Sequence, residues 1–133
     1  MSAAKAMRAR LIGDATLTGL IGTRIYPGKA PQDPTLPYVV YHRISTTRTP
    51  TLNGPTLVPE TRIQLDIIAT SQASAELVAT AIRNRIDGYT GTSASVSVLS
   101  SVVEDEMDMD ETIEGSDSIY YRVVMDVLIQ HRE

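Results

Sequence analysis

Cysteine, phenylalanine and tryptophan are absent, and histidine occurs only twice. Without a thiol there is no disulfide framework, no thiolate metal site and no cysteine nucleophile. Six tyrosines are the whole aromatic content, which leaves no Trp or Phe platform of the kind that stacks sugars. No apolar run approaches about 18 residues and no cleavable apolar leader opens the chain, so the reading is of a protein made and used in a cytosol, with no membrane. What is present is aliphatic. Leu, Ile and Val make up 33 of the 133 residues, above the roughly 20 % below which disorder is the default. A single domain over residues 1–133 is expected, burying roughly two-thirds of its unfolded surface.

Charge is unevenly distributed. The net charge of −4 hides a run from Glu104 to Asp117 with eight acids and no base, which leaves twelve bases against eight acids elsewhere. Such polarity suits complementarity between protein surfaces and disfavours nucleic acid as a partner. The simplest structural expectation for the run is a solvated, mobile loop; the functional alternative is an interaction edge.

Periodicity orders the elements. Ala3, Ala4, Met7 and Leu11 share one side of a short helix stopped at Gly13, and Asp14 can cap a second brief turn carrying Leu17, Leu20 and Ile21. The proline-rich stretch from Arg24 to Pro37 reads as a connector. Tyr38 to Ser45 is β-branched and aromatic, the first strand. Thr46 to Pro59, with Pro50, Asn53-Gly54-Pro55 and Pro59, reads as a long loop or projecting hairpin. Ile63, Leu65 and Ile67 alternate with Arg62, Gln64 and Asp66 in a second strand. Ser71 can cap a helix whose buried stripe is Leu77, Val78, Ala81, Ile82 and Ile86, with Arg85 inside that stripe and Gly88 as its stop. Ala94 to Val103 forms a third strand with an irregularity near Leu99 to Ser101, and Ser118 to Gln130 a long fourth one. The fold class is therefore α+β: a four-stranded, mainly antiparallel sheet with helices packed on one face, in the order α-β-β-α-β-β, with a long loop between the first two strands.

Chemistry finds no apparatus in this pattern. His42 lies in a strand and His131 is close to the end, with no G-x-S-x-G turn to present a serine. The glycines form neither G-x-G-x-x-G nor a Walker loop. Asp105, Glu106, Asp108 and Asp110 invite a calcium reading, but an EF-hand loop would need Gly at Glu111 or a bidentate Glu at Tyr121. No catalytic residue, metal site or cofactor is assigned.

The run Arg24-Ile25-Tyr26-Pro27-Gly28-Lys29-Ala30-Pro31-Gln32, followed by Leu36-Pro37-Tyr38-Val39-Val40-Tyr41, resembles the opening signature of the tail-completion, or tail terminator, proteins of long-tailed bacteriophages and prophages. The short helix ending in Leu17, Leu20, Ile21 and Gly22 precedes it as in that family. Arg62-Ile63-Gln64-Leu65-Asp66 with its Ala-rich helix, then Tyr120-Tyr121-Arg122-Val123-Val124-Met125-Asp126, follow in the same order. The resemblance implies a structural, non-enzymatic virion protein, assembled in the host cytoplasm and sited at the head-proximal end of the tail. It implies a homo-oligomeric ring, commonly of six subunits, that halts polymerisation of the major tail tube protein and meets the head connector or head completion protein. On that basis Asp108, Asp110 and Glu111 are candidates to face a basic neighbour, with Arg83, Arg85, Arg8 and Arg10 as candidate cations, or alternatively to face the tube or connector. Arg48, Leu52 and Leu57 would present the long loop to the tube. The alternatives are a head completion protein or tube subunit and, in another class, a small enzyme using the acidic run with a divalent metal.

Overall fold

The computed structural model describes residues 2–132 apart from 33, 49–51, 53, 55–57 and 113–118, with the backbone alone at 110–112 and 119. Among the described residues three helices and six strands follow one another as α1 (Ala3–Ile12), α2 (Ala15–Ile21), β1 (Ile25–Pro27), β2 (Tyr38–Thr47), β3 (Glu60–Ala69), α3 (Gln72–Ile86), β4 (Gly91–Ser93), β5 (Val96–Thr112) and β6 (Ile119–His131). Each helix starts on a side-chain cap: Ser2 accepts from the Lys5 N–H, Asp14 from Leu17 and Ser71 from Ser74.

The strands form one sheet in the order β1-β2-β3-β6-β5-β4. Only β1 and β2 run parallel; every other neighbouring pair is antiparallel. The sheet thus has six strands where the sequence suggested four. The two additions are the short outermost strands. Ile25-Tyr26-Pro27, expected to be connector, joins the edge of β2, where a proline at the strand end interrupts no interior ladder. Gly91–Ser93 pairs with Val96–Val98 through a two-residue turn at Ala94 and Ser95, too short to show a period.

The acidic run departs most from expectation. Glu104 to Thr112 is not a loop but the second half of the 17-residue strand β5, paired with β6 from Asp126 to Ile119. Strand β6 supplies a backbone ladder, and on its partner Glu106 and Asp108 lie opposite Met125 and Val123 while Asp105 lies opposite Asp126, so these acids project to both faces without breaking it. The expected irregularity is present: the β5–β6 register shifts between Val98 and Ser100, and again between Val103 and Asp105. A further shift falls in β2 between Arg43 and Ser45.

One face of the sheet is dry. Val39, Tyr41, Ile63, Leu65, Ile67, Val123, Met125, Val127 and Ile129 point into a core closed by Met7, Leu11, Leu17, Ile21, Val78, Ile82 and Ile86 of the helices. Ala6 joins the buried side of α1 and Ala4 is only partly buried. In α3 the inward stripe includes Ala75 and Ala79, whereas Leu77, assigned to the core from the sequence, is 59 % exposed. The stripe rotates because small alanines allow α3 to lie close to the sheet on that side. At its C-terminus Gly88, at φ +77°, takes the left-handed conformation and donates its N–H to Ser101 O at 2.7 Å.

Candidate functional site

Neither imidazole sits in a catalytic arrangement. His131 is buried and its Nε2 lies 3.1 Å from Thr61 Oγ1, which in turn is 3.2 Å from Thr46 Oγ1. His42 Nε2 stands 4.0 Å from Asp66 Oδ2. That carboxylate already holds Arg122 at 2.9 Å and accepts from the Gln64 amide at 3.0 Å. No group of three or more His, Asp or Glu side chains among the described residues is placed to hold a metal ion. A groove of about 560 Å³ between α2 and α3, lined by Leu20, Ala73, Leu77 and Ala81, carries Glu76 as its single charge.

Both edges of the sheet are only partly covered among the described residues. On one side β4 covers only Val96 to Val98 of β5. The turn after α3 then satisfies two more groups: Gly88 N–H donates to Ser101 O, and Val103 N–H donates to Asp87 Oδ1 at 3.0 Å. From Glu104 to Thr112 no described strand pairs with the outer edge of β5, a stretch of roughly 30 Å. On the other side β1 covers Val39 to Tyr41, and Gly28 N–H donates to Tyr41 O. From His42 to Thr47 the outer edge of β2 has no strand partner among the described residues.

These edges carry opposite charge. The β5 edge bears Glu104, Asp105, Glu106, Asp108, Asp110 and Glu111. The β2 edge has Arg43, exposed and without an ion pair among the described residues, with Arg48 just beyond, and no acid occurs between His42 and Pro59. Exposed apolar side chains gather on the same strands. Of seven large exposed hydrophobic residues among those described, five belong to β2 or β5: Ile44, Leu99, Val102, Met107 and Met109. That clustering is unusual for surface strands with no partner.

The residues singled out from the sequence fall in several places. Asp108 is exposed on β5 and shares a shallow pocket with Glu76, Arg83 and Glu106. Asp110 and Glu111 lie opposite Tyr121 and Tyr120 in the ladder, and their side chains are outside the described residues. Arg83 pairs within the chain with Glu106, at 3.0 and 3.3 Å to the two carboxylate oxygens. Arg85 donates Nε–H to Arg10 O at 2.9 Å, and Arg10 returns the bond to Arg85 O at 3.3 Å while its guanidinium lies 4.0 Å over the Tyr89 ring. Arg8 donates to Ile25 O at 3.2 Å. The four cations considered for a neighbour's acids therefore all have intrachain roles. Arg48 lines a small pocket with Arg43, Thr46 and His131, Leu52 is fully exposed, and Leu57 lies outside the described residues.

Arg43, Ile44, Met107 and Met109 were not singled out from the sequence. The Glu-Met-Asp-Met-Asp alternation at Glu106 to Asp110 was the signal available for the last two.

The described residues thus form one sheet with helices on one face and two partly open edges of unlike charge. The chain matches the family described as Tail completion protein gp17 over residues 5–129, and it belongs to that family. Its role is thus that of a structural phage tail protein. Among solved structures, it resembles a chain from the "Virion of native gene transfer agent (GTA) particle", at 18 % identity and a TM-score of 0.68, covering 94 % of this chain and 92 % of that one. A second solved chain, which carries no functional name, matches at 10 % identity and a TM-score of 0.54, over 98 % of this chain and 96 % of the other. At such identities these two likenesses concern the fold. No curated protein matches the sequence significantly.

Proposed function

We propose that the protein forms a ring on the head-proximal end of the phage tail tube, where it stops tube polymerisation and offers a joining surface to the head connector. The observation that carries this reading is membership of the tail-completion family along nearly the whole chain, residues 5–129. The likeness to a chain from a phage-like virion particle supports it at the level of fold. Identical subunits close into a ring when one face meets a different face of the next copy and the rotation closes. Two edges of opposite charge suit such a contact. Asp108, Asp110 and Glu111 face the neighbouring subunit, in a ring of six. Arg83 and Arg85 act behind them by holding α3 to β5 and to α1. The loop bearing Arg48, Leu52 and Leu57 docks on the tube, its leucines supplying apolar contact.

The test is to make particles without this protein and examine them by electron microscopy. Tails of irregular length, separate from filled heads, are expected. Tails of correct length firmly joined to heads would overturn the proposal. Native mass spectrometry of the purified protein separates the reading from a tube subunit: closed oligomers of fixed mass support a terminator, and open-ended polymers would assign it to the tube.

A further inference from the structure

We propose that neighbouring copies join strand to strand, the free stretch of β5 (from Glu104 to Thr112) in one subunit adding antiparallel to the free stretch of β2 (from His42 to Thr47) in the next. The inference rests on the ring reading above and names the surfaces that close it.

Topology sets the direction. β2 runs antiparallel to β3, β3 to β6 and β6 to β5, so β2 and β5 point opposite ways at the two sides of one sheet. A copy placed beside the first in the same orientation therefore brings its β5 antiparallel to the first copy's β2, the geometry in which ladder bonds are straight. The helix-covered face also continues across the junction.

Charge then agrees on that face. Arg43 lies opposite core residue Ile63, and Glu106 and Asp108 lie opposite core residues Met125 and Val123. All three thus point to the helix side of the sheet, and pairing of the edges sets Arg43 beside these acids. On the other face Met107 and Met109 lie opposite Val124 and Arg122. Strand pairing flanks them, and Ile44 at the β2 irregularity, and so shields part of three large exposed apolar side chains.

The two free stretches are not level. Ser45 is opposite Arg62, which is opposite Leu128 and, through it, Val102. Asp108 lies six positions further along β5. Matching the edges therefore needs an offset of about five residues, on the order of 17 Å. A stagger between strands is what closing a sheet into a barrel requires, and it lets β1 and β4 remain in place above and below the junction.

The absence of cysteine makes the contact measurable. Ser45→Cys is combined with Asp105→Cys, Met107→Cys or Met109→Cys, all exposed positions on the open face, and each variant is oxidised mildly in the full-length protein. A disulfide forms only where Cα atoms come within about 7 Å, so one register is expected to give a ladder of covalent oligomers on a denaturing gel. Each single-cysteine variant should stay monomeric on that gel. In parallel, Arg43→Glu or Asp108→Arg alone should weaken oligomer formation at least fivefold by native mass measurement, and the two together should restore it.

Wild-type oligomers of fixed mass with no ladder in any register would overturn the edge contact and leave the ring standing. A wild-type protein that is monomeric at every concentration would overturn both. Cross-links from β5 to a tail tube subunit, with none between copies, would give the edge to that partner and refute the proposal.

Discussion

The reciprocal contact between Arg10 and Arg85 gives a test in which geometry dictates the form of the answer. Each arginine lies in the last turn of its helix, where backbone carbonyls lack intrahelical donors. Each donates Nε–H to the other's main-chain oxygen, at 2.9 Å from Arg85 and 3.3 Å from Arg10. Arg85→Met keeps an apolar stem and deletes the donor. A charged hydrogen bond contributes about 1.5–3 kcal/mol, reduced here by partial exposure, so a loss of about 1–2 kcal/mol is expected. For 133 residues the unfolding entropy near the transition is about 0.28 kcal/mol/K, which places the fall in Tm at about 4–7 °C. Arg10→Met has the longer bond to lose but also its position over Tyr89, and should cost a similar about 1–2 kcal/mol. Because each side chain bonds to backbone that the other substitution leaves intact, a double-mutant cycle by calorimetry should show a coupling of no more than about 0.5 kcal/mol. Coupling above about 1 kcal/mol would refute this independence, since it would mean that α1 and α3 shift together when either bond is lost. An Arg85→Met protein with unchanged Tm but lost oligomer mass would refute the intrachain role itself.

Thr61→Val removes the hydroxyl between Thr46 and the buried His131 ring, and should cost about 1–3 kcal/mol by urea unfolding; a loss below about 0.5 kcal/mol would show that the chain of groups contributes little. Asp66→Ala leaves Arg122 without the carboxylate it meets at 2.9 Å on the open face. As the carboxylate is largely buried, a loss of about 2–4 kcal/mol is expected, and an unchanged denaturation midpoint would exclude that. Ala94 and Ser95 occupy the β4–β5 turn at φ +49° and +63°, so Ala94→Asn with Ser95→Gly should raise stability by about 1–2 kcal/mol, read as a higher Tm; a lower Tm would argue against a turn of this type.

The two central strands and all three helices were legible because each writes its period in side chains the core needs. Ile63, Leu65 and Ile67 bury, and Ser2, Asp14 and Ser71 cap, from residue type alone. What the sequence concealed is pairing. β1 and β4 span three residues each, shorter than any period, and exist because a neighbour's edge needs partners. The second half of β5 was concealed for another reason. Its acids read as a solvated run, yet Val123, Met125 and Val127 of β6 are buried and that strand is anchored on β3, so it imposes a ladder on its partner. The assignment of Leu77 to the core failed through a small rotation of α3 that places Ala75 and Ala79 inward instead. Arg85 inside the apolar stripe was a correct anomaly: its resolution is a bond to another helix end in the same chain.

In the proposed contact, the charges on the two sheet edges do more than attract. A long open strand edge is an invitation to pair with any other, and the commonest unwanted partner is the same edge of another copy. Two β5 edges brought together would set Glu106 and Asp108 among their own copies and oppose like charges, while two β2 edges, each with Arg43 alone, would gain no attraction. The unlike combination, β5 with β2, is the one that gains charge attraction. An unlike contact cannot finish with two subunits, because each addition presents a fresh copy of the unsatisfied edge, so growth continues until rotation brings the last subunit onto the first. In the proposed contact the acids of β5 thereby disfavour a symmetric dimer and favour a closed ring, in which each described open edge meets its unlike counterpart.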